Sequence, residues 1–199
     1  MSELPASPPP HAAPAASARS ALRRSGGAQP VRAWLVVLAL LWALTLLADL
    51  TTTAIAPLAE AARELLTLRL VPTTNPPPSL GRVLAIAAHN IETAGWPLLL
   101  PLLDAQRRRW SRALADIAVV ANLAVNAILV GLALGAYDAR LLAYVPQLPL
   151  EWAGLAVAPA DWWLRRTDFA RGPRLVPLIA LVLLLGLAAL LETVCVPHR

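Results

Sequence analysis

The sequence predicts an all-α, polytopic membrane protein of about five transmembrane helices, with a short amphipathic interfacial helix between the first two. Three observations lead there. The chain of 199 residues is 58% hydrophobic with a mean hydropathy of +0.61, above the roughly 45–50% apolar content of soluble domains. The excess sits in blocks, several of them near the ~20 residues that cross about 30 Å of hydrocarbon. The basic residues, all of them Arg, collect at the ends of those blocks.

Residues 1–30 are rich in Pro, Ala, Ser and Gly, a composition that buries no core, and are expected to be a disordered cytoplasmic segment. Residues 31–199 are expected to form one transmembrane helical domain. The first span is placed at 33–56 and ends at Pro57. Its apolar run is too long for a secretory h-region and is followed by no small-residue cleavage site. Residues 58–70 alternate Leu and Ala with Glu60, Arg63, Glu64 and Arg69, which reads as an amphipathic helix on the membrane surface. Thr73 to Pro78 is a stiff, extended connector.

The second span, 83–103, is polar for a lipid-facing helix, and Pro97 should kink or break it. The third is placed at 113–136. The fourth, 149–164, is short, and a re-entrant path competes with a full crossing. The fifth, 175–196, is the most uniformly apolar.

Arginine sets the orientation, because cytoplasmic loops collect Lys and Arg. With five spans, the N-terminal segment and the loops at 104–112 and 165–174 carry twelve Arg, and the opposite side carries five. The N-terminus is therefore expected inside and the C-terminus outside. Trp34, Trp110, Trp152, Trp162 and Trp163 fall near the expected interfaces, where amphipathic rings settle. A chain rich in Ala, Leu, Arg and Pro without Lys fits a GC-rich bacterial genome, so the expected location is a bacterial plasma membrane. The net charge of +5 is explained by this topology rather than by nucleic acid binding.

Polar residues inside spans carry the functional information, since a charge at the bilayer centre costs at least ~2.5–3.5 kcal/mol. His89 and Glu92 are three apart on one helix face, with Asn90 beside them. Asn122 and Asn126 share another face. Glu151 lies in the first turn of the fourth span, where the helix dipole favours an anion, and Glu192 lies near the end of the fifth. These seven form a candidate intramembrane polar cluster. It reads either as a pathway or ligand site, or as interhelical hydrogen bonding that holds the bundle together. Gly131 and Gly135 form a G-x-x-x-G pair that permits close helix approach, within one chain or between copies.

Catalytic signatures are missing from the sequence: H-E-x-x-H, G-x-S-x-G, the P-loop and G-x-G-x-x-G do not occur. No catalytic residue, metal site or cofactor is expected. The one cysteine, Cys195, cannot form an internal disulfide.

Three stretches resemble the stage II sporulation protein M family of bacterial membrane proteins: Leu84 to Leu99, Asn126 to Gly135, and Leu148 to Ala156. In the last, Pro149 and Glu151 stand for that family's Pro and Glu, and the family's His-Gly between them is absent here. The run Leu190 to Thr193 is similar to the family's last helix, with its glutamate near the outer end. The resemblance implies a multi-span protein with the same orientation, acting as a scaffold or assembly subunit of a cell-envelope complex. The expected partners are the bilayer and other membrane or envelope proteins. The alternative is a small transporter or permease-like subunit built on the intramembrane polar residues and on breaks at Pro97 and Pro149.

Overall fold

The computed structural model describes residues 28–70, 78–103, 109–137, 141, 146–166 and 175–195. Every element among them is helical. Four helical stretches are long and apolar enough to cross a membrane: Gln29–Ala54, Leu80–Pro101, Arg109–Tyr137 and Leu175–Cys195. The chain is a multi-pass membrane protein of the all-α class. The segment before residue 28 and most of the 73–78 connector lie outside the described residues.

Helix α1 spans Ala28–Ala54. Pro30 falls in its first turn, where a missing N–H costs no helical bond. The helix ends just before Pro57, as the sequence predicts, but the chain hardly unwinds. Ile55 N–H still donates to Thr51 O at 3.1 Å, Leu58 and Ala59 bond back to Ile55 O, and α2, Ala56–Leu70, follows at once. The buried stripe of α2 is Ala59, Ala62 and Leu66, spaced for one helix face. It packs on the far end of the Arg109–Tyr137 helix, where Arg63 Nε donates to Ala136 O at 2.9 Å.

Helix α3 spans Leu80–Gly95 and is capped by Ser79, whose hydroxyl accepts from Arg82 N–H at 3.2 Å. At Trp96–Pro97 the α-helix gives way to a 3₁₀ segment, Trp96–Leu103, which also contains Pro101. A proline removes one N–H and crowds the carbonyl four residues back, so the break falls where Pro97 predicts it. Helix α4, Arg109–Tyr137, runs parallel to α1: Val37 and Leu44 lie level with the Asp116–Ala124 stretch, Thr45 with Gly131, and Thr52 with Gly135. Helix α7, Leu175–Cys195, packs against α3.

The expected fourth span is two short helices, α5 (Leu148–Leu155) and α6 (Val157–Arg166). The cause is Pro159, which has no N–H for Leu155 O, four residues back. The interruption is slight. Ala156 keeps helical dihedrals, φ −75° and ψ −19°, and bonds run across it from Ala156 N–H to Trp152 O and from Ala160 N–H to Ala156 O. The pair forms a bent rod through the middle of the bundle. Every residue from Trp152 to Trp162 is buried. Its small residues, Ala153, Gly154, Ala156, Ala158 and Ala160, let neighbours approach closely. A Cβ on Gly154 would lie 2.6 Å from Leu185 Cδ2 of α7. Around the rod, Val37, Leu41, Ala94, Leu98, Leu181 and Leu185 complete the main core.

Candidate functional site

Six of the seven polar residues singled out in the sequence fall in three places, and Asn90 stands apart from them. Asn122 and Asn126 lie inside the bundle. Asn122 Nδ2 donates to Thr93 O at 3.4 Å, and Asn126 Nδ2 donates to Asn122 O at 2.8 Å and to its Oδ1 at 3.4 Å. Two amides, four residues apart on α4, thus tie that helix to the end of α3. Glu151 at the start of α5 and Glu192 near the end of α7 lie within range of each other's charge, and Arg82 of α3 acts on Glu192. Three helices converge there on two carboxylates and a guanidinium.

His89 and Glu92 take a third place. Both are exposed on the outer surface of α3, and neither has a hydrogen bond or ion pair among the described residues. They share this face with Gly81, Leu84, Ala85 and Ala88, all exposed. The spacing i, i+3, i+4, i+7, i+8, i+11 defines one continuous stripe. The opposite face carries Ala87, Ile91 and Ala94 toward the core. Asn90 is half-buried on the far side of α3 from the stripe, nearer the face that carries Ala87 and Ala94. Gly81 has open space around it: a Cβ added there would meet nothing within 4 Å. His89 and Glu92 lie at the middle of the Leu80–Pro101 stretch, where hydrocarbon solvates neither an imidazole nor a carboxyl group. On the other spanning helices the exposed face is apolar: Leu40 and Leu47 on α1, Leu114 and Val120 on α4, Val182 and Leu183 on α7.

The glycine pair on α4 has a definite partner. Gly131 abuts the Thr45 carbonyl and Ala48 of α1, and Gly135 abuts the Asp49 carbonyl and Thr52. The pair therefore works within the chain, at the most extensive helix contact of the bundle.

Sequence reasoning missed the polar contacts made by tryptophans. Trp152 and Trp162, placed at interfaces by the sequence, are each only 3% exposed. Trp152 Nε1 donates to Thr45 Oγ1 at 3.2 Å, and Trp34 Nε1 donates to Ala153 O at 2.8 Å. Both bonds fasten α5 to α1. Trp162 Nε1 donates to Asp116 Oδ1 at 3.0 Å, while Arg166 Nη1 pairs with Asp116 Oδ2 at 3.2 Å. Within α6, Arg165 Nε pairs with Asp161 at 2.6 Å. The available signal was the i, i+4 spacing of Trp162 and Arg166, which puts one indole donor and one cation on the same face. Trp110 and Trp163 are exposed, as amphipathic interface rings would be.

Among the described residues no group of three His, Cys, Asp or Glu side chains is placed to hold a metal ion. The arrangement is that of a multi-pass helical membrane protein with a packed centre and one polar outward face. No protein-family model matches the chain, and neither a curated protein nor a solved structure matches it.

Proposed function

We propose that this chain is a non-catalytic assembly subunit of a bacterial cell-envelope membrane complex, in keeping with its resemblance to the stage II sporulation protein M family. In this reading α3 is the docking helix, and the partner is a transmembrane helix with hydrogen-bonding side chains at matching depth. The observation that carries it is the exposure of His89 and Glu92 on one face of α3 at mid-span, next to Gly81, Ala85 and Ala88. Lipid leaves such a face unsatisfied. A partner helix satisfies it, and small residues let that helix come close.

The same reading has five crossings. Residues 148–166 give a rod about 28 Å long at 1.5 Å per residue, enough to cross while shielded by its neighbours. Its last turn meets Asp116 near the start of α4, so it runs antiparallel to α4. The N-terminus is then cytoplasmic, the C-terminus outside, and α2 lies at the outer interface.

The intramembrane polar residues, the change to a 3₁₀ segment at Trp96–Pro97 and the α5–α6 interruption favour a permease-like alternative, since discontinuous helices build mid-membrane substrate sites; the last is the one enclosed by the bundle. Here the interrupted turn is Leu155, Ala156, Val157 and Ala158, all apolar and buried. Helical bonding continues across it. It offers a substrate little to bind, and the assembly reading is preferred.

The test is a photo-crosslinking residue placed at Ala88 in native membranes, with Leu183 of α7 as the lipid-facing comparison. Ala88 is expected to give a discrete protein adduct that disappears in Glu92→Leu, while the purified Glu92→Leu protein unfolds at an unchanged temperature. Equal, adduct-free behaviour at positions 88 and 183 would sink the docking reading.

A further inference from the structure

A crevice of about 210 Å3 runs along the surface between α1, α4 and α6. Leu40 and Leu44 of α1, Val120 and Ala124 of α4, and Pro159 of α6 form its apolar walls. It opens outward, where Leu40 is 62% and Val120 63% exposed, so in a bilayer it faces hydrocarbon rather than water.

One end of this crevice differs in chemistry. Asp116, Trp162, Trp163 and Arg166 close it. Trp162 and Arg166 both use Asp116. That pairing neutralises the Asp116 carboxylate and engages one of the guanidinium's five donors, and the Arg166 side chain stays 41% exposed. Asp161 is neutralised by Arg165. Arg166 is thus the accessible cation at this end of the crevice, with the exposed Trp163 ring beside it.

We infer that the crevice is a binding site for an anionic phospholipid, with one acyl chain lying between α1 and α4 and the phosphate held at Arg166. Methylene groups fill a slot whose walls otherwise lack partner atoms on one side. A phosphate accepts charge-assisted bonds from the guanidinium donors that Asp116 leaves over. Basic pockets between spanning helices on the cytoplasmic side recognise anionic headgroups in this way. The leaflet rests on the topology proposed above; the crevice and its charged end do not.

The experiment uses the full chain purified in a neutral detergent. Phosphatidylglycerol, or phosphatidylcholine with the same acyl chains, is added, and retained lipid is counted by native mass spectrometry. The wild type should retain phosphatidylglycerol about fivefold better, the effect of roughly one basic residue near an anionic headgroup. Arg166→Gln should remove that preference and leave phosphatidylcholine binding as it was. Val120→Trp fills the crevice from an exposed position that does not threaten folding, and should reduce retention of both lipids. Equal retention of the two lipids by the wild type overturns the proposal, as does a preference that survives Arg166→Gln. Retention unaffected by Val120→Trp removes the acyl-chain slot. Glycerol phosphate that competes as well as the whole lipid would make the site one for a soluble phosphate.

Discussion

Replacing Gly131 by Ala should open the contact between α1 and α4. A methyl group there would fall inside contact distance of the Thr45 carbonyl oxygen and 2.6 Å from Ala48 Cβ. At Gly135 it would lie 2.6 Å from the Asp49 carbonyl oxygen and 2.7 Å from Thr52 Cβ. The obstructing atoms include helix backbone, which has no rotamer to escape into. Carbon contacts settle near 3.5–4.0 Å, so the helices must part by roughly 1 Å, a gap that forfeits a quarter to a half of the dispersion well for the atoms that lined it. Overpacking of this kind costs about 1–3 kcal/mol, and the better helix propensity of Ala returns at most about 1 kcal/mol. With the full propensity gain subtracted, Gly131→Ala should therefore lose a net ~0–2 kcal/mol.

Gly186 on α7 supplies the internal control, because a Cβ there meets nothing within 4 Å. Gly186→Ala keeps only the propensity gain and should be neutral, or stabilising by up to about 1 kcal/mol. Both variants can be unfolded reversibly in mixed micelles with rising sodium dodecyl sulfate, followed by far-ultraviolet circular dichroism. If Gly131→Ala is as well tolerated as Gly186→Ala, the close approach of α1 and α4 is not what the glycine serves.

Two further perturbations probe the central rod and its path. Thr45→Val keeps the shape of a fully buried side chain but leaves the Trp152 indole N–H without its acceptor; the same unfolding assay should register a loss of about 1 kcal/mol. Thr52→Val should lose much less, because the Thr52 hydroxyl bonds only its own helix at Ala48 O; equal losses would show that the indole bond contributes nothing. Cys195 is the single cysteine and is exposed, so five crossings predict that a membrane-impermeant maleimide labels it in intact cells. Labelling only after permeabilisation would mean an even number of crossings, with α5 and α6 returning to the side they came from.

Whole helices were legible from residue types, because length, hydropathy and proline act locally. The span starting near Ala33, the break at Pro97 and the final helix from Leu175 all fall close to where composition puts them. The G-x-x-x-G pair was also legible as a close-approach surface. Its partner could be found only in three dimensions, since Thr45, Asp49 and Thr52 of α1 give no sign in sequence that they face α4 rather than lipid. His89 and Glu92 show the same limit from the other side. Helical spacing puts them on one face, but only the burial of Ala87 and the packing of Ile91 and Ala94 against the core show that this face turns outward.

The segment expected as a fourth span, residues 148–166, is the most instructive case, because its low hydropathy follows from its position. A helix in contact with lipid must be apolar over its whole length, whereas one enclosed by other helices answers to its neighbours instead. Residues 148–166 could therefore take on Glu151, Asp161, Arg165 and Arg166, a proline at 159 and a run of Ala and Gly. Enclosure turns each of these to use. Pro159 leaves Leu155 O without a helical donor but bends the rod only slightly, since the bonds on either side persist. The small residues admit Leu185. Trp34, Trp152 and Trp162 replace bulk hydrophobicity with directed bonds to α1 and α4. A hydropathy window scores that segment against lipid, which is the environment it does not have. In α3 the mismatch has the opposite sign: the window accepts the helix as a span, yet its outward face is one that lipid serves poorly. A buried helix that looks too polar and an exposed face that looks too polar differ only in what covers them. For the first, the rest of this chain does so; for the second, the cover we propose is a partner helix.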